Sequence, residues 1–159
     1  MNRQQIQDDI ENALRDGCVN QQTVTLVLGS GEAVFHVEQS DSMAGSFNGI
    51  EYRSTAIDNL AKTELSRFAE SLAARLTYLL EPISTIEADP DVVQLRSDPP
   101  SAEDNHTRCY FELLARKGSL SLVRYRKSVG QPRTLVPMQL THEVLSRLLV
   151  DFDAAACSL

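Results

Sequence analysis

A stripe of apolar residues at helical spacing in the middle of the chain constrains the fold more than any other feature. Leucine and phenylalanine recur at intervals of three and four residues across residues 58–80, with charged residues between them. This spacing places the apolar side chains on one face of an α-helix. Pro82, just beyond the stripe, cannot continue a helix. We therefore predict one long helix of 23 residues, roughly 34 Å in length, that packs across a sheet. The stripe consists of Leu65, Phe68, Leu72, Leu76 and Leu79.

Alternating polar and apolar residues on both sides of this stripe predict strands. Residues 23–38 have the pattern of a hairpin with a glycine-rich turn, and residues 50–53 that of a short third strand. Residues 83–96 and 108–127 continue the strand pattern after the helix. A last strand is predicted over residues 134–138, with Pro137 restricting it to an edge or an end of the sheet.

Two amphipathic segments predict helices near the two ends of the chain. Isoleucine and leucine recur at helical spacing over residues 4–15, and Thr141 is a suitable N-cap for a closing helix. We predict a single α+β domain over residues 1–159. It consists of an antiparallel sheet of about five to seven strands, the long central helix on one face, and the N- and C-terminal helices flanking it. Residues 97–106 are rich in proline, serine and acids, and we expect a mobile acidic loop there.

Charge is distributed unevenly along the chain, whose net charge is −7. From Arg108 to Arg133 there are seven cationic residues and one acid, Glu112, whereas the rest of the chain carries eight bases and 21 acids. Nucleic acid is an improbable partner, because most of the surface would repel phosphate. We also expect no membrane partner, since no apolar stretch approaches the length of a transmembrane helix.

The cationic stretch has the alternation of a β-hairpin turned at Lys117–Gly118–Ser119. In the second arm the apolar residues change phase, so we predict a β-bulge near Leu122. The bulge would direct Arg124 and Arg126 to one side of the strand, and to the other side Leu120, Leu122, Val123 and Tyr125. In the first arm, the residues predicted to share one face are Cys109, Phe111, Leu113 and Ala115.

We interpret the cationic stretch as the binding surface of a non-enzymatic protein-binding module. An arginine-rich strand face suits an acidic or extended segment of another protein, and a tyrosine provides a packing anchor. A second interpretation stays open, in which the same cations only pair with the acids of residues 81–104 or of a second subunit. The predicted partner-binding residues are Arg116, Arg124, Tyr125, Arg126 and Arg133.

Two alternatives come from other classes of function. The first is a pocket between the sheet and the long helix that holds a small anionic ligand, anchored by Arg124 or Arg126. The weaker one is a hydrolase-like enzyme that uses Asp89, Asp91 or His106. The three histidines lack a second ligand at the spacing of metal sites, so we predict no metal, no cofactor and no catalytic residue.

The three cysteines of the chain are widely spaced and no apolar leader is present, so we expect free thiols and a cytoplasmic location.

The order of predicted elements is helix, three strands, long helix, strands and closing helix. The segments that characterise this order are the opening helix with Ile6, Ile10 and Leu14, the strand at Thr23, the strand 119–123, the link Val136–Pro137, and the helix carrying Leu140, Leu145, Leu148 and Phe152. In these features the chain resembles the type III secretion chaperone-like fold. The resemblance implies a small acidic homodimer that binds a segment of another protein on its sheet.

Overall fold

The computed structural model describes residues 2–17, 21–98 and 106–159. Within these ranges the chain forms three α-helices and one antiparallel sheet of nine strands. The α+β class, the antiparallel sheet and the two terminal helices are confirmed, but the sheet has more strands than the five to seven predicted. The helices are α1 (Arg3–Ala13), α2 (Lys62–Arg75) and α3 (His142–Cys157). The strands are β1 (Gln22–Val27), β2 (Glu32–Ser40), β3 (Ala44–Arg53), β4 (Ile83–Ala88), β5 (Val92–Ser97), β6 (Thr107–Arg116), β7 (Ser119–Ser128), β8 (Thr134–Val136) and β9 (Met138–Thr141).

The main path of the sheet runs in the order β1-β2-β3-β7-β6-β5-β4. The last half of β3 pairs with β7, while its first half pairs with β9. Strand β8 pairs with the second half of β7. The strand predicted over residues 134–138 is therefore split in two at Pro137, which has no N–H to donate to a neighbouring strand.

The single long helix predicted over residues 58–80 is wrong. A 3₁₀ turn at Thr55–Ile57 precedes α2, and a second one at Thr77–Leu79 follows it. Leu80 then adopts a left-handed backbone conformation, with φ of 62°. A residue with a left-handed backbone conformation interrupts a right-handed helix, so the helical region ends at Leu80 and the chain turns toward β4.

The apolar stripe is nevertheless buried along its whole length. Leu76 and Leu79 are only 1% and 8% exposed, because a 3₁₀ turn repeats every three residues and keeps both side chains on the same side. At the other end, the carboxylate of Glu64 accepts a hydrogen bond from the Ala61 N–H at 2.8 Å, which caps α2 from within its first turn. Spacings of three and four residues thus fit both the long helix and the broken one.

The three described helices cover one face of the sheet, and none of them packs on the other face. The buried residues of the three helices belong to one apolar cluster with the residues of a single sheet face, including Phe35, Ile50, Leu113 and Leu122. Pairing between strands places these four on the same side. Each fully buried side chain of this kind contributes about 1.5–3 kcal/mol. We call the opposite side of the sheet the open face.

Some predictions concern residues that the structure does not describe. Most of the acidic loop predicted over residues 97–106 is among them, because residues 99–105 lie outside the described ranges. Cys18 also lies outside them. Cys109 is buried, and Cys157 is exposed. Among the described helices, none combines the length and apolar character required to cross a bilayer.

Candidate functional site

Strands β6 and β7 form the predicted cationic hairpin, joined by a tight turn at Lys117 and Gly118. Gly118 has a φ of 82°, which glycine adopts without strain. Pairing is continuous from Thr107 with Ser128 to Arg116 with Ser119. The β-bulge predicted near Leu122 is therefore wrong, because a short turn sets the register of the whole hairpin.

This register corrects the predicted faces of β7. Arg124 and Arg126 lie on the same side as Leu120 and Leu122, which is the helix side, and Tyr125 lies on the open face. The apolar face predicted for β6, with Phe111, Leu113 and Ala115, is confirmed. The helix side of β7 therefore carries Leu120 and Leu122 and then Arg124. The apolar pattern of the strand changes at Arg124 because this arginine, although it lies on the helix side, has a carboxylate partner there.

That partner is Glu81, which lies between α2 and β4. The Arg124 guanidinium donates from Nη1 to Oε2 at 3.0 Å and from Nη2 to Oε1 at 3.2 Å, and it stacks 4.4 Å from the Phe111 ring centroid. Ser97 Oγ also donates to Glu81 at 3.1 Å and accepts the Phe111 N–H at 2.7 Å. The Glu81 and Arg124 side chains are 8% and 23% exposed. This pair neutralises its own charges inside the molecule.

A second buried carboxylate, Glu112, lies on the open face with its side chain only 2% exposed. Its Oε2 accepts hydrogen bonds from Arg133 Nη1 at 2.6 Å and from Gln94 Nε2 at 2.7 Å. Arg96 Nη2 is farther from the same oxygen, at 4.0 Å. Hydrogen bonds to Tyr110 and Glu112 raise the pKa of Arg133, which therefore stays charged. Glu112 holds the two arginines at the surface of the open face but neutralises only one of them.

Two tyrosines support these arginines. Tyr110 and Tyr125 are opposite each other on β6 and β7, with ring centroids 6.0 Å apart. Arg96 stacks 4.6 Å from the Tyr110 centroid, and Arg133 stacks 3.9 Å from that of Tyr125. Stacking holds a guanidinium flat on the ring and leaves its edge to donate hydrogen bonds. The arginines are thus pre-oriented before any ligand arrives.

Two adjoining cavities of about 430 and 340 Å³ lie beside this cluster and have Arg96, Tyr110 and Lys127 in common. We call the combined depression the open-face groove. Four cations line it, against the carboxylate of Asp98 and the nearby Glu112. It is therefore a cationic depression on an acidic protein. Its lining residues are Gln94, Arg96, Ser97, Asp98, His106, Arg108, Tyr110, Lys127, Ser128, Val129, Gly130 and Arg133.

Comparison of the chain with models of protein families, with curated proteins and with solved structures finds no match. The interpretation of the groove therefore depends on its own geometry.

The structure brings together two of the five predicted partner-binding residues. Tyr125 and Arg133 stack on each other at the groove. Arg124 is paired with Glu81 on the helix side, and Arg126 lies exposed on that same side. Arg116 is exposed at the far end of β6, beside the turn. Self-neutralisation, the second interpretation of the cationic stretch, applies to Arg124 with Glu81 and to Lys117 with Asp91. Arg133 is likewise paired within the molecule, with Glu112 on the open face. The grouping of Arg96, Arg108 and Lys127 on that face was not predicted from the sequence.

The groove residues that sequence reasoning missed are Arg96, Arg108 and Lys127. Strict alternation through β6 and β7, without the predicted bulge, would have placed Arg108 and Lys127 beside Tyr110 and Tyr125. Arg96 carried no such signal, because it joins the group only through the pairing of β5 with β6. Pairing partners that are distant in sequence are not visible in local patterns.

The residues of the enzymatic alternative are not brought together. Asp89 and Asp91 lie in the turn between β4 and β5, and Lys117 Nζ contacts Asp91 Oδ1 at 2.9 Å. His106 lines the groove at the start of β6, whereas Lys117 follows the end of that strand. The length of β6 therefore separates the histidine from the two aspartates. In the described ranges, no group of three or more His, Cys, Asp and Glu side chains is arranged to hold a metal ion.

Proposed function

We propose that this protein is a non-enzymatic protein-binding module, adaptor-like or chaperone-like, that binds an acidic, extended segment of another protein in the open-face groove. The partner is recognised by charge and by contact with aromatic rings. We further propose that it acts in the cytoplasm. A homodimer, which the type III secretion chaperone-like resemblance implies, remains a prediction that sedimentation at several concentrations would test.

The observation that carries this proposal is the concentration of cations on the face that no described helix covers. Arg96, Arg108, Lys127 and Arg133 line the groove, while the chain as a whole has a net charge of −7. Cations retained on one patch of an acidic surface attract an acidic partner, and the acidic remainder disfavours polyanions that extend beyond the patch.

The dimensions of the groove suit a short stretch of extended chain. It crosses β5, β6 and β7, which lie about 4.8 Å apart, so it spans on the order of 10–15 Å. An extended peptide advances roughly 3.3 Å per residue, so about three to five residues fill this span. Tyr125 provides a partly exposed aromatic ring, whereas Tyr110 is buried beneath Arg96. Arg96, Arg108 and Lys127 provide the positive charge for carboxylates, because Arg133 is already paired with Glu112.

Fluorescence anisotropy with a fluorescein-labelled decapeptide of alternating glutamate and alanine tests the proposal. We expect saturable binding that weakens as salt is raised, because the contacts are mainly ionic. The charge-reversed variant Arg108→Glu/Lys127→Glu should bind at least about tenfold more weakly, equivalent to about 1.4 kcal/mol. Both residues are exposed, so the fold should tolerate the change.

The matched control is Lys62→Glu/Arg75→Glu, which alters net charge equally on α2, an element of the helix side. This control should retain wild-type affinity. Equal loss in both variants would mean that only net charge matters, and the absence of binding to wild type would refute an acidic-peptide site in the groove.

The cavity of about 430 Å³ also favours the alternative of a small anionic ligand, because its volume lies within the range of small-molecule sites. The structure differs from the sequence prediction for this alternative, since the cavity lies on the open face and Arg124 does not line it. A thermal-shift series with succinate, citrate and inorganic phosphate separates the two functions. A ligand that binds only the native state raises the melting temperature, and the stabilisation grows with the logarithm of the ratio of ligand concentration to dissociation constant.

A further inference from the structure

We infer that the end of the open-face groove formed by Arg96, Arg108 and Lys127 is a phosphate-binding site, which takes a phosphorylated side chain of the partner segment. This inference rests on the proposed function, because it specifies the chemical group that the protein-binding groove recognises. A phosphate ester carries nearly two negative charges at neutral pH and three acceptor oxygens, twice the charge of a carboxylate.

The first supporting observation is a cross-strand pair of like charges. Arg108 on β6 is directly opposite Lys127 on β7, and both side chains are exposed on the open face. Like charges directly opposite each other destabilise a sheet. An anion bound between them would convert this repulsion into attraction, which explains why such a pair is found in the wall of a cavity.

The second observation concerns Arg96, whose charge is only weakly compensated. Its Nη2 is 4.0 Å from Glu112 Oε2, whereas Arg133 Nη1 approaches the same oxygen to 2.6 Å. The Arg96 Nε atom is buried and makes no hydrogen bond within the described residues, so it does not compensate the charge either. The guanidinium stacks on Tyr110 and lines both cavities of the groove. Arg96 thus adds an incompletely compensated positive charge at the place where Arg108 and Lys127 also supply charge.

Three cations at one end of the groove exceed what one carboxylate neutralises. Asp98 lies on the same wall and reduces the positive field, but the cations still outnumber it. A dianion balances this arrangement better than a glutamate side chain does. The guanidinium fork of arginine matches two oxygens of a phosphate group, while lysine contributes a point charge. Removing the negative charge of Asp98 should increase the affinity of the site for an anion, and this increase can be measured.

The test uses the full-length protein and three labelled peptides of one sequence. Their central residue is serine, glutamate or phosphoserine, and it is flanked by alternating glutamate and alanine. We expect the phosphoserine peptide to bind at least tenfold more tightly than the other two. In Arg108→Ala/Lys127→Ala this preference should fall below threefold, whereas Lys62→Ala/Arg75→Ala should retain it. Asp98→Asn should tighten binding of the phosphoserine peptide more than that of the serine peptide.

Unlabelled phosphoserine and inorganic phosphate, added as competitors, identify the source of the phosphate. We expect both to displace the phosphopeptide only at concentrations far above the peptide's own dissociation constant. Displacement at equal concentration would overturn the peptide source in favour of a free phosphate compound. If all three peptides bind equally, the phosphate site is refuted and the acidic-peptide function stands. If none binds, both proposals fail.

The variants also have a structural readout. Replacing Arg108 and Lys127 by alanine removes the like-charge pair and also the exposed hydrogen bond that Lys127 Nζ donates to the Gln131 carbonyl oxygen. Because both effects are small at the surface, the melting temperature should change by no more than about 2 °C. A melting temperature lowered by several degrees would show that these cations stabilise the fold through partners in their own chain. In that case the phosphate assignment is overturned whatever the peptides do.

Discussion

Arg124 and Glu81 form a two-pronged ion pair on the helix side of the sheet, with nitrogen–oxygen distances of 3.0 and 3.2 Å. The two residues are 43 positions apart, and the pair attaches the end of the α2 region to the cationic hairpin. A residue predicted to contact a partner therefore has a structural role in its own molecule.

Breaking this ion pair should strongly destabilise the protein. The Glu81 side chain is 8% exposed and that of Arg124 is 23% exposed. We expect Arg124→Met, which leaves the buried carboxylate without its partner, to lower the free energy of unfolding by about 3 kcal/mol. Glu81→Gln leaves the more accessible guanidinium unpaired and should cost about 1–2 kcal/mol. The double variant Glu81→Gln/Arg124→Met should recover part of the loss. Urea unfolding measures all three, and Arg116→Ala, at an exposed position, should stay within about 0.5 kcal/mol of wild type. A loss below 1 kcal/mol in both single variants would contradict this assignment.

Tyr52 should make the protein's stability fall in alkaline solution. The Tyr52 side chain is fully buried, and burial together with its hydrogen bond to Asp153 at 2.9 Å raises its pKa above the ordinary value. Below a pH of about 10 the tyrosine is neutral in both states. Above it, the unfolded tyrosine loses its proton while the folded one keeps it, so stability falls by about 1.4 kcal/mol per pH unit.

The variant Tyr52→Phe isolates this effect. At pH 7 it should be less stable than wild type by about 1.5–3 kcal/mol, because a hydrogen bond to a charged group is lost. The difference should shrink between pH 9 and pH 11, since phenylalanine does not ionise. Chemical unfolding of both proteins across this range is the measurement. A difference that stays constant would show that Tyr52 ionises equally in both states.

Gly31 should not tolerate a side chain. A Cβ atom at this position would lie 2.1 Å from the Arg53 carbonyl oxygen and 2.8 Å from the Tyr52 ring. Since a backbone atom cannot move aside cheaply, we expect Gly31→Ala to cost about 3 kcal/mol or more. Gly49→Ala is the control, because its nearest neighbour would be Val123 Cγ1 at 3.5 Å, an ordinary contact. Differential scanning calorimetry of both variants checks the prediction, and equal melting temperatures would contradict it.

The glycine-rich turn illustrates how far local sequence reasoning reaches. The glycine-rich turn of the hairpin predicted over residues 23–38 does join two strands, β1 and β2. The reason for a glycine at position 31 is the approach of the Arg53 carbonyl from β3, a contact over 22 residues of sequence. Turn propensity predicts the place of the bend, whereas the close approach depends on how the third strand docks.

The long helix predicted over residues 58–80 shows where local sequence reasoning fails. An apolar spacing of three and four residues fits a continuous helix, and it fits equally a 14-residue helix followed by a 3₁₀ turn. Leu80, with its left-handed φ of 62°, ends this region because the chain must turn toward β4 and bring Glu81 to Arg124. The choice between the two backbones depends on a partner 43 residues away.

Periodicity, turn residues and caps depend on neighbours within a few positions, so they determined the α+β class, the terminal helices and the hairpin of β6 and β7 from the amino-acid order alone. The break of the central helix, the ion pair of Arg124 with Glu81 and the position of Arg96 beside Glu112 were decided by tertiary structure. Each of them depends on contacts between elements that are distant in the chain. Arg108 and Lys127 instead follow from strict alternation within the hairpin of β6 and β7. Energies of long-range pairing are a property of the assembled sheet, and no local pattern encodes them.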